Sequence, residues 1–284
     1  MTNESKLAPP VVVVLVLNDP GEWSDQVLEG LNNQDYENFQ VLVMNRGPSS
    51  NADRVRAAIR DATVKHVPNA KSYAEAANAV SGLVEGAAFY LFLRDDTALA
   101  PNAVSLLVEE ALESNAGVLG PKVLDFNDTS RILSMGFVVD AFAVATPIVE
   151  AGELDQKQHD RVREVFSVSG HAVLVRSDLF ATIGGFDQRI ADFEEHLDLC
   201  WRVQIAGGRV LVVPTANVSS LERMSALSQP LRRRHSMRHR QHIVAKCYGW
   251  VHLVPILILA MVLSLLEVVY SLLALRFRHA RDVF

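Results

Sequence analysis

Polar residues that can bind a charged ligand follow three apolar runs in the first third of the chain. They occupy residues 17–19, 44–47 and 94–96, and each group comes directly after a run typical of a buried strand. Open α/β sheets bind their ligands at the carboxyl ends of the strands, so we expect these residues to share one site. The sequence lacks the glycine-rich signatures of dinucleotide enzymes and of P-loop NTPases, which argues against both classes.

A second group of polar residues, at positions 194–202, combines acids, a histidine and an arginine with Trp201. It lies on a predicted helix over residues 195–206, which Gly207 and Gly208 end. A Gly-Gly-Phe-Asp turn at residues 184–187 precedes this helix. Acids and histidines are the usual general bases of enzymes, so this group is the candidate for proton transfer.

The order of the elements predicts the fold class. Strands and helices alternate throughout residues 11–115, which indicates an open, mostly parallel α/β sheet with crossover helices. In this half we predict strands at 11–17, 39–44, 64–67 and 88–93, and helices at 23–32, 52–62, 72–86 and 103–113. In the second half we predict strands at 117–124, 136–140 and 209–213, a long strand or strand pair at 165–175, a helix at 178–183 capped by Ser177, and a loop or surface helix at 150–165.

The overall composition gives no sign of nucleic-acid binding, because the 284 residues carry a net charge of −6. Five arginines nonetheless fall within residues 232–240. Such a cluster can bind RNA or anionic lipid, and the apolar segment that follows it favours lipid. The spacing of Cys200 and Cys247 indicates neither a disulfide framework nor a metal site, as expected of unpaired thiols in a reducing compartment.

Residues 254–275 are nearly all apolar, with one charge at Glu267. About 20 apolar residues span a bilayer, so the segment is predicted to be a transmembrane helix, with a buried core helix as the alternative. Six Lys or Arg residues at 232–246 precede it and three at 276–281 follow it, which by the positive-inside rule places the large domain in the cytoplasm. We therefore divide the chain into a globular domain (1–225), a basic juxtamembrane segment (226–248) and a transmembrane helix with its flank (249–284). We expect the chain to be the N-terminal piece of a longer membrane protein.

Taken together, these motifs resemble those of family 2 glycosyltransferases, which have the GT-A fold. The chain resembles the membrane-anchored, actinobacterial type of this family, and its catalytic motifs are degenerate. The resemblance covers about residues 9–245 and rests on the apolar strands, the turn at 184–187 and the Asp-Leu-Cys-Trp-Arg run at 198–202. It implies a GT-A-like α/β sheet and a nucleotide-sugar donor. The implied donor-nucleotide residues are Leu17, Asn18, Asn45, Arg94, Asp95 and Asp96.

The resemblance also implies a divalent cation. In the family, the fourth strand usually ends in Asp-x-Asp, whose carboxylates hold Mg²⁺ or Mn²⁺ against the donor diphosphate. In this chain Arg94 takes the first of these positions and Asp96 is the remaining implied metal ligand, while Ser220 stands where the family often has a metal-binding histidine. The implied metal site is therefore weakened. Arg94 either contacts the diphosphate directly or pairs with a neighbouring carboxylate.

On the acceptor side, the family usually carries Glu-Asp-x-Asp-Leu, with the second acid as the catalytic base. His196 occupies that position here. A histidine can act as a general base near neutral pH, and a neighbouring glutamate can substitute for it; a surface or helix-capping histidine is the alternative. The implied catalytic residues are His196, Glu195 and Asp198, and the implied acceptor-binding residues are Trp201, Arg202 and His171.

We therefore expect a membrane-anchored, cytoplasm-facing, inverting glycosyltransferase that moves a sugar from a nucleotide donor to an envelope glycan or a lipid-linked acceptor. The departures from the family pattern at Asn45, Arg94, His196 and Ser220 motivate a second hypothesis. Under it, the domain is a catalytically inactive homologue that serves as a scaffold or regulatory binding module in envelope assembly. Neither hypothesis includes a nucleic-acid partner.

Overall fold

A computed structural model describes residues 8–18, 24–59, 61–140, 144–190, 194–221, 239 and 242–249, and some of the residues between 254 and 270. The arginine cluster predicted to bind lipid, at residues 232–240, lies outside the described residues. So does the basic flank at 276–281, on which the predicted orientation in the membrane partly rests.

The described residues form a sheet-based domain with helices on both sides of the sheet. Its strands are β1 (Val11–Leu17), β2 (Phe39–Asn45), β3 (Thr63–His66), β4 (Phe89–Arg94), β5 (Thr97–Leu99), β6 (Val118–Asp125), β7 (Arg131–Ser134), β8 (Phe137–Val139), β9 (Ala145–Pro147), β10 (Glu153–Leu154), β11 (Arg163–Glu164), β12 (Ala172–Arg176) and β13 (Val210–Ser220). Its helices are α1 (Ser24–Asn32), α2 (Ser50–Ala58), α3 (Tyr73–Asn78), α4 (Ala103–Ser114), α5 (Ser177–Thr182) and α6 (Glu195–Ile205), with a 3₁₀ turn at Ala79–Gly82.

The central sheet confirms the α/β class but is mixed rather than mostly parallel. Its main order is β10-β7-β6-β12-β4-β1-β2-β3, with β13 beside β6. The neighbours β3, β2, β1 and β4 pair in parallel, whereas β12 runs antiparallel to both β4 and β6. Antiparallel neighbours need no crossover helix, and the described residues between β6 and β12 contain none. The prediction of a mostly parallel sheet was therefore right for the first half alone.

The core consists of two apolar layers, one on each face of the sheet. Alternate residues of a strand point to opposite faces, and β1 shows this directly. Val13 and Leu15 pack in one cluster with side chains of α1, α2 and α4, whereas Val14 and Val16 pack in the other with side chains of α3, α5 and α6. Because both faces of β1 are covered, its unbroken apolar sequence is the pattern of a central strand.

Several predicted elements differ from the structure. The helix predicted at 72–86 is the short α3 followed by a 3₁₀ turn, and the strand predicted at 165–175 is confined to β12. Of the loop or surface helix predicted at 150–165, the structure shows the loop, with the two-residue strands β10 and β11 in it. Ser177 does not cap α5: its hydroxyl donates to the carbonyl of Ala87. The last strand was predicted to end before Pro214, but it continues to Ser220. A bulge between Val213 and Asn217 shifts the pairing register and accommodates the proline within the strand.

Half of the apolar segment predicted to span the membrane, residues 254–275, lies outside the described residues. No helix within the described part of the chain is both long and apolar enough to cross a bilayer. The described residues of this segment lie between 254 and 270, and each of them is helical. Their apolar side chains are exposed, among them Ile258, Met261 and Leu266.

Candidate functional site

The candidate site lies at the carboxyl ends of β1, β2 and β4. Parallel pairing places Leu17 beside Asn45 and Val16 beside Arg94. The backbone N–H of Asn18 donates to Asp95 Oδ2 over 2.9 Å, which ties the residue after β1 to the residue after β4. The structure thus brings the predicted donor-nucleotide residues to one edge of the sheet, and their role in binding a nucleotide stays a prediction.

Asn45 shapes the turn that follows β2. Its side chain is wholly buried, accepts a hydrogen bond from the Gly47 N–H over 3.0 Å and donates to the Pro48 carbonyl over 2.8 Å. A Cβ atom at Gly47 would lie 2.2 Å from the Asn18 carbonyl oxygen. Only glycine permits this close approach of the two loops, so the turn after β2 is built to lie against the end of β1.

Arg94 forms a buried ion pair at the end of β4. Its Nη2 donates to Glu195 Oε1, its Nε donates to the Gly170 carbonyl over 3.1 Å, and its guanidinium carbon lies 4.8 Å from the centre of the Tyr73 ring. The Arg94 side chain is 12% exposed and that of Glu195 is 1% exposed. The structure therefore shows the predicted pairing of Arg94 with a neighbouring carboxylate, and direct contact of Arg94 with a diphosphate stays a prediction. This pair connects β4, on the donor side, to the first residue of α6.

Two neutral histidines lie beside this ion pair. Ser169 Oγ is 2.6 Å from His171 Nδ1, and the His171 carbonyl accepts from the Arg94 N–H over 3.1 Å. The His196 ring packs against Gly170, where an added Cβ would lie 2.6 Å from His196 Nδ1. Burial lowers the pKa of each imidazole to about 4, and the Arg94 charge acts in the same direction. Within the described part of the chain, His171 Nε2 and His196 Nδ1 are buried without a hydrogen-bond partner. His196 is therefore neither a surface residue nor a helix cap.

The residues around Asp96 do not fit a divalent cation. Asp96 is buried and accepts a hydrogen bond from Thr97 Oγ1 over 3.2 Å, while its carbonyl accepts from the Leu221 N–H, directly after Ser220. Mg²⁺ and Mn²⁺ require several oxygen or nitrogen ligands, and Arg94 offers none. Nowhere among the described residues do three His, Cys, Asp or Glu side chains come together to hold a metal.

The predicted acceptor residues of α6 are held by contacts of their own. Asp198 is wholly buried and accepts hydrogen bonds from Arg202 Nε over 2.8 Å and from Lys246 Nζ over 2.9 Å. Trp201 is 9% exposed, and the Phe166 ring stands edge-on to it at 5.1 Å. The roles of Asp198 in catalysis and of Trp201 and Arg202 in acceptor binding stay predictions.

Sequence reasoning missed three residues of this region: Tyr73, Gly170 and Lys246. Gly170 precedes a predicted site residue, so its small size was a usable signal. Tyr73 follows Ser72, which caps α3 by accepting from the Glu75 N–H, and this local pattern says nothing about Arg94. Lys246 belongs to the basic flank at 232–246 from which the sequence predicted the orientation in the membrane, and its carboxylate partners are 48 and 59 residues away along the chain.

Comparison with known proteins identifies the family. The family model described as glycosyltransferase like family 2 matches residues 9–238, which contain every strand and α-helix named above. The chain belongs to this glycosyltransferase family. This family 2 glycosyltransferase is 26% identical over 229 residues to the N-acetylglucosaminyl-diphospho-decaprenol L-rhamnosyltransferase of Mycobacterium tuberculosis, in strains CDC 1551 / Oshkosh and ATCC 25618 / H37Rv. The similar region covers 72% of this chain and 74% of that relative.

Solved structures share the fold of this family 2 glycosyltransferase at low sequence identity. The crystal structure of GalNAc-T7 with UDP, GalNAc and Mn²⁺ superposes with a TM-score of 0.60 at 11% identity, covering 74% of this chain but 43% of that one. The crystal structure of S. aureus TarS 1–349 also gives a TM-score of 0.60, at 15% identity, covering 87% of this chain and 69% of that one. The chain thus spans less than half the length of the GalNAc-T7 chain, and these two likenesses establish the GT-A-like fold.

The buried ion pair generates a prediction about stability. Arg94→Met leaves the Glu195 carboxylate buried without its counter-charge, so we expect it to lower the free energy of unfolding by about 3–5 kcal/mol. The double variant Arg94→Met/Glu195→Leu removes both charges, and we expect it to recover most of that loss. Urea unfolding of the detergent-solubilised chain measures both effects.

The matched control is Arg209→Met, because Arg209 pairs with Glu164 at the surface, where both side chains are at least half exposed. We expect it to change stability by less than about 1 kcal/mol. A double variant that is as unstable as Arg94→Met would show that the ion pair does not account for the loss.

Proposed function

We propose that this family 2 glycosyltransferase moves a sugar from a nucleotide-sugar donor to a lipid-linked or glycan acceptor of the cell envelope, with inversion. One observation carries the proposal: the Arg94–Glu195 pair joins the donor-side end of β4 to the first turn of α6, which bears His196. Groups suited to a diphosphate and a group suited to proton transfer therefore meet at the ligand-binding edge of the sheet.

In this proposal, Arg94 holds the donor diphosphate. A guanidinium binds phosphate oxygens bidentately and keeps its charge at every physiological pH. Glu195, Gly170 and Tyr73 fix the position of that guanidinium at the end of β4. Since the residues around Asp96 do not suit a dication, Arg94 supplies the positive charge that offsets the leaving nucleotide.

His196 is the proposed base. The carboxylate of Glu195 is bound to Arg94 and that of Asp198 to Arg202 and Lys246, whereas His196 is neutral at pH 7 and can accept a proton. A pKa near 4 makes a weak base in the free protein. A bound diphosphate would bring negative charge to the site and raise the pKa of His196, so its basicity would increase when the donor is present.

The proposed acceptor is a saccharide carried on a polyprenyl diphosphate. The Mycobacterium tuberculosis relatives are named for such a substrate, N-acetylglucosaminyl-diphospho-decaprenol. This chain carries an exposed apolar helical segment within residues 254–270, after a basic stretch, which suits attachment to an anionic membrane surface. We accordingly propose that residues 254–275 span the cell membrane and that the domain faces the cytoplasm.

The second candidate function, an inactive homologue that binds a partner or glycan, is favoured by one observation. Two acids that the sequence proposed for catalysis, Glu195 and Asp198, are both held in buried ion pairs. Each carboxylate is thus held by a cation of this chain, as expected of a structural ion pair. Enzyme assays decide between the two candidates.

Sugar transfer is tested with the full chain in detergent, a panel of radiolabelled nucleotide sugars and polyprenyl-diphosphate-linked N-acetylglucosamine. We expect one donor to label the lipid. Because a general base typically contributes about 10²–10⁴-fold to rate, His196→Gln should lower kcat at least about 100-fold. His159→Gln, which removes a histidine bound to Glu153 outside the site, should leave kcat unchanged. Nucleotide binding without transfer from any donor would favour the inactive homologue, and full activity of His196→Gln would place the base elsewhere.

Membrane anchoring is tested by carbonate extraction of membranes that contain the expressed chain. We expect the wild-type chain to stay with the membrane pellet. Leu259→Arg/Met261→Arg puts two charges into the apolar segment, each of which costs about 2.5–3.5 kcal/mol near the centre of a spanning helix, and should move the chain into the supernatant. Leu112→Arg, at an exposed position of α4, is the control and should stay in the pellet. A wild-type chain that is soluble without detergent would contradict the anchor.

A further inference from the structure

Residues 242–248, here termed the docking segment, pack against α6. Residues 242–247 are helical, and Ile243 and Val244 are buried in one apolar cluster with Leu197 and Trp201. The Tyr248 ring stands edge-on to the Trp201 ring at a centroid distance of 5.1 Å. The chain is therefore packed on the globular domain shortly before the apolar stretch that starts at residue 254.

Charge fixes the docking segment at one place on this surface. Lys246 Nζ lies 2.6 Å from Asp187 Oδ2 and 2.9 Å from Asp198 Oδ1, so one ammonium group bridges two carboxylates. His242 Nε2 lies 3.2 Å from the same Asp187 oxygen. These acids belong to the Gly-Gly-Phe-Asp turn and to the Asp-Leu-Cys-Trp-Arg run, so the two most distinctive motifs of the second half of the sequence meet at Lys246.

The acids that receive Lys246 are poorly hydrated, which gives the contact its strength. Asp198 is wholly buried, and Asp187 is 14% exposed. Burial acts to raise the pKa of the Asp187 carboxyl, but hydrogen bonds from Lys246, from the Arg189 N–H and from His242 outweigh it and hold that pKa far below its usual range. Arg202 supplies one counter-charge to Asp198, and Lys246 supplies the other. Loss of Lys246 would leave both carboxylates under-compensated in a place with little water.

The docking contact and the candidate reaction site share the first turn of α6. Glu195 and His196 face the Arg94 region, and Leu197 and Asp198, the next two residues, receive the docking segment. A one-turn segment of helix moves as a unit, because its backbone is hydrogen-bonded to the turn that follows. A shift of the docking segment therefore displaces the turn that carries the proposed base.

We propose that Lys246 is a positioning residue for sugar transfer: by bridging Asp187 and Asp198, it docks the chain that precedes the apolar segment onto α6 and so holds His196 and Glu195 in register with Arg94. The inference rests on the proposed function for its effect on rate, whereas docking itself is a property of the folded chain. The contact also links the site to the membrane, because the docking segment ends six residues before residue 254. Under the proposed function the nucleotide would lie on the far side of the Arg94–Glu195 pair from the docking segment, so we expect donor affinity to depend on the docking contact much less than rate does.

The test compares Lys246→Met, which keeps the length of the side chain without its charge, with Lys246→Arg, which restores a cation. Trp201 reports docking by fluorescence in a Trp23→Phe/Trp250→Phe background, since Tyr248 and Phe166 cover its ring. We expect acrylamide quenching of Trp201 to increase in Lys246→Met and kcat to fall by about 10–100-fold, because an ångström-scale misplacement can cost about 10² in rate. The Kd for the nucleotide should change less than about twofold, and Lys246→Arg should recover both quenching and kcat. Arg209→Met, from the exposed pair with Glu164, is the control and should change neither.

Asp187→Asn is a second variant, for the case that Lys246→Met does not fold; it removes one partner of Lys246 but keeps the Asp198–Arg202 pair intact. We expect Asp187→Asn to increase Trp201 quenching and to lower kcat, each by less than Lys246→Met does. Unchanged Trp201 quenching in Lys246→Met would overturn the docking role, and unchanged kcat with increased quenching would overturn the positioning role. Absence of transfer by the wild-type chain would instead refute the proposed function. In that case acrylamide quenching would still test the docking role. Trp201 quenching that is the same in Lys246→Met as in the wild-type chain would overturn that role.

Discussion

The buried pair of Arg94 and Glu195 is the contact on which the rest of the site depends. A carboxylate that is 1% exposed is tolerated only with a counter-charge and hydrogen bonds, and Arg94 provides both. The two residues lie 101 positions apart, at the end of a parallel strand and at the start of the helix that carries His196. Their pairing therefore ties the start of α6 to the end of β4, next to the β12–β4 strand pairing that joins the two halves of the sheet. Burial keeps the neighbouring imidazoles neutral; the Arg94 charge adds to this effect, whereas the Glu195 carboxylate opposes it.

A second set of charges organises the other end of the same turn of α6. Asp198 is held by Arg202 within the helix and by Lys246 from the docking segment, while Asp187 receives the other side of the Lys246 ammonium. The acidic motifs of the second half of the chain thus serve two neighbouring purposes. Glu195 fixes the Arg94 guanidinium at the edge of the sheet. Asp187 and Asp198 bind Lys246 and so fix the docking segment, which precedes the proposed membrane segment.

Sequence reasoning predicted those elements whose pattern is set by local burial. β1 was predicted to the residue, because both of its faces are covered and its apolar run is unbroken. β12 and the short strands β7, β9, β10 and β11 were missed or misplaced, since two to five residues give too little periodicity and their pairing is set by distant parts of the chain. The site followed the same division. The sequence identified Arg94, Glu195 and His196 as candidates. It did not identify the Arg94–Glu195 and Lys246–Asp198 pairs, because the partners are 101 and 48 residues apart in the chain. No local pattern contains that information.

The most direct test of this account is calorimetric titration of the detergent-solubilised full chain with UDP, GDP and dTDP, first with Mn²⁺ and then with EDTA. We expect that one nucleotide binds with a micromolar Kd, that EDTA leaves this Kd unchanged, and that Arg94→Met/Glu195→Leu abolishes binding although the chain still unfolds cooperatively. Binding that requires Mn²⁺, or that survives the loss of Arg94, would contradict the claim that a fixed guanidinium holds the donor diphosphate. No binding of any nucleotide by the folded chain would contradict the donor site itself.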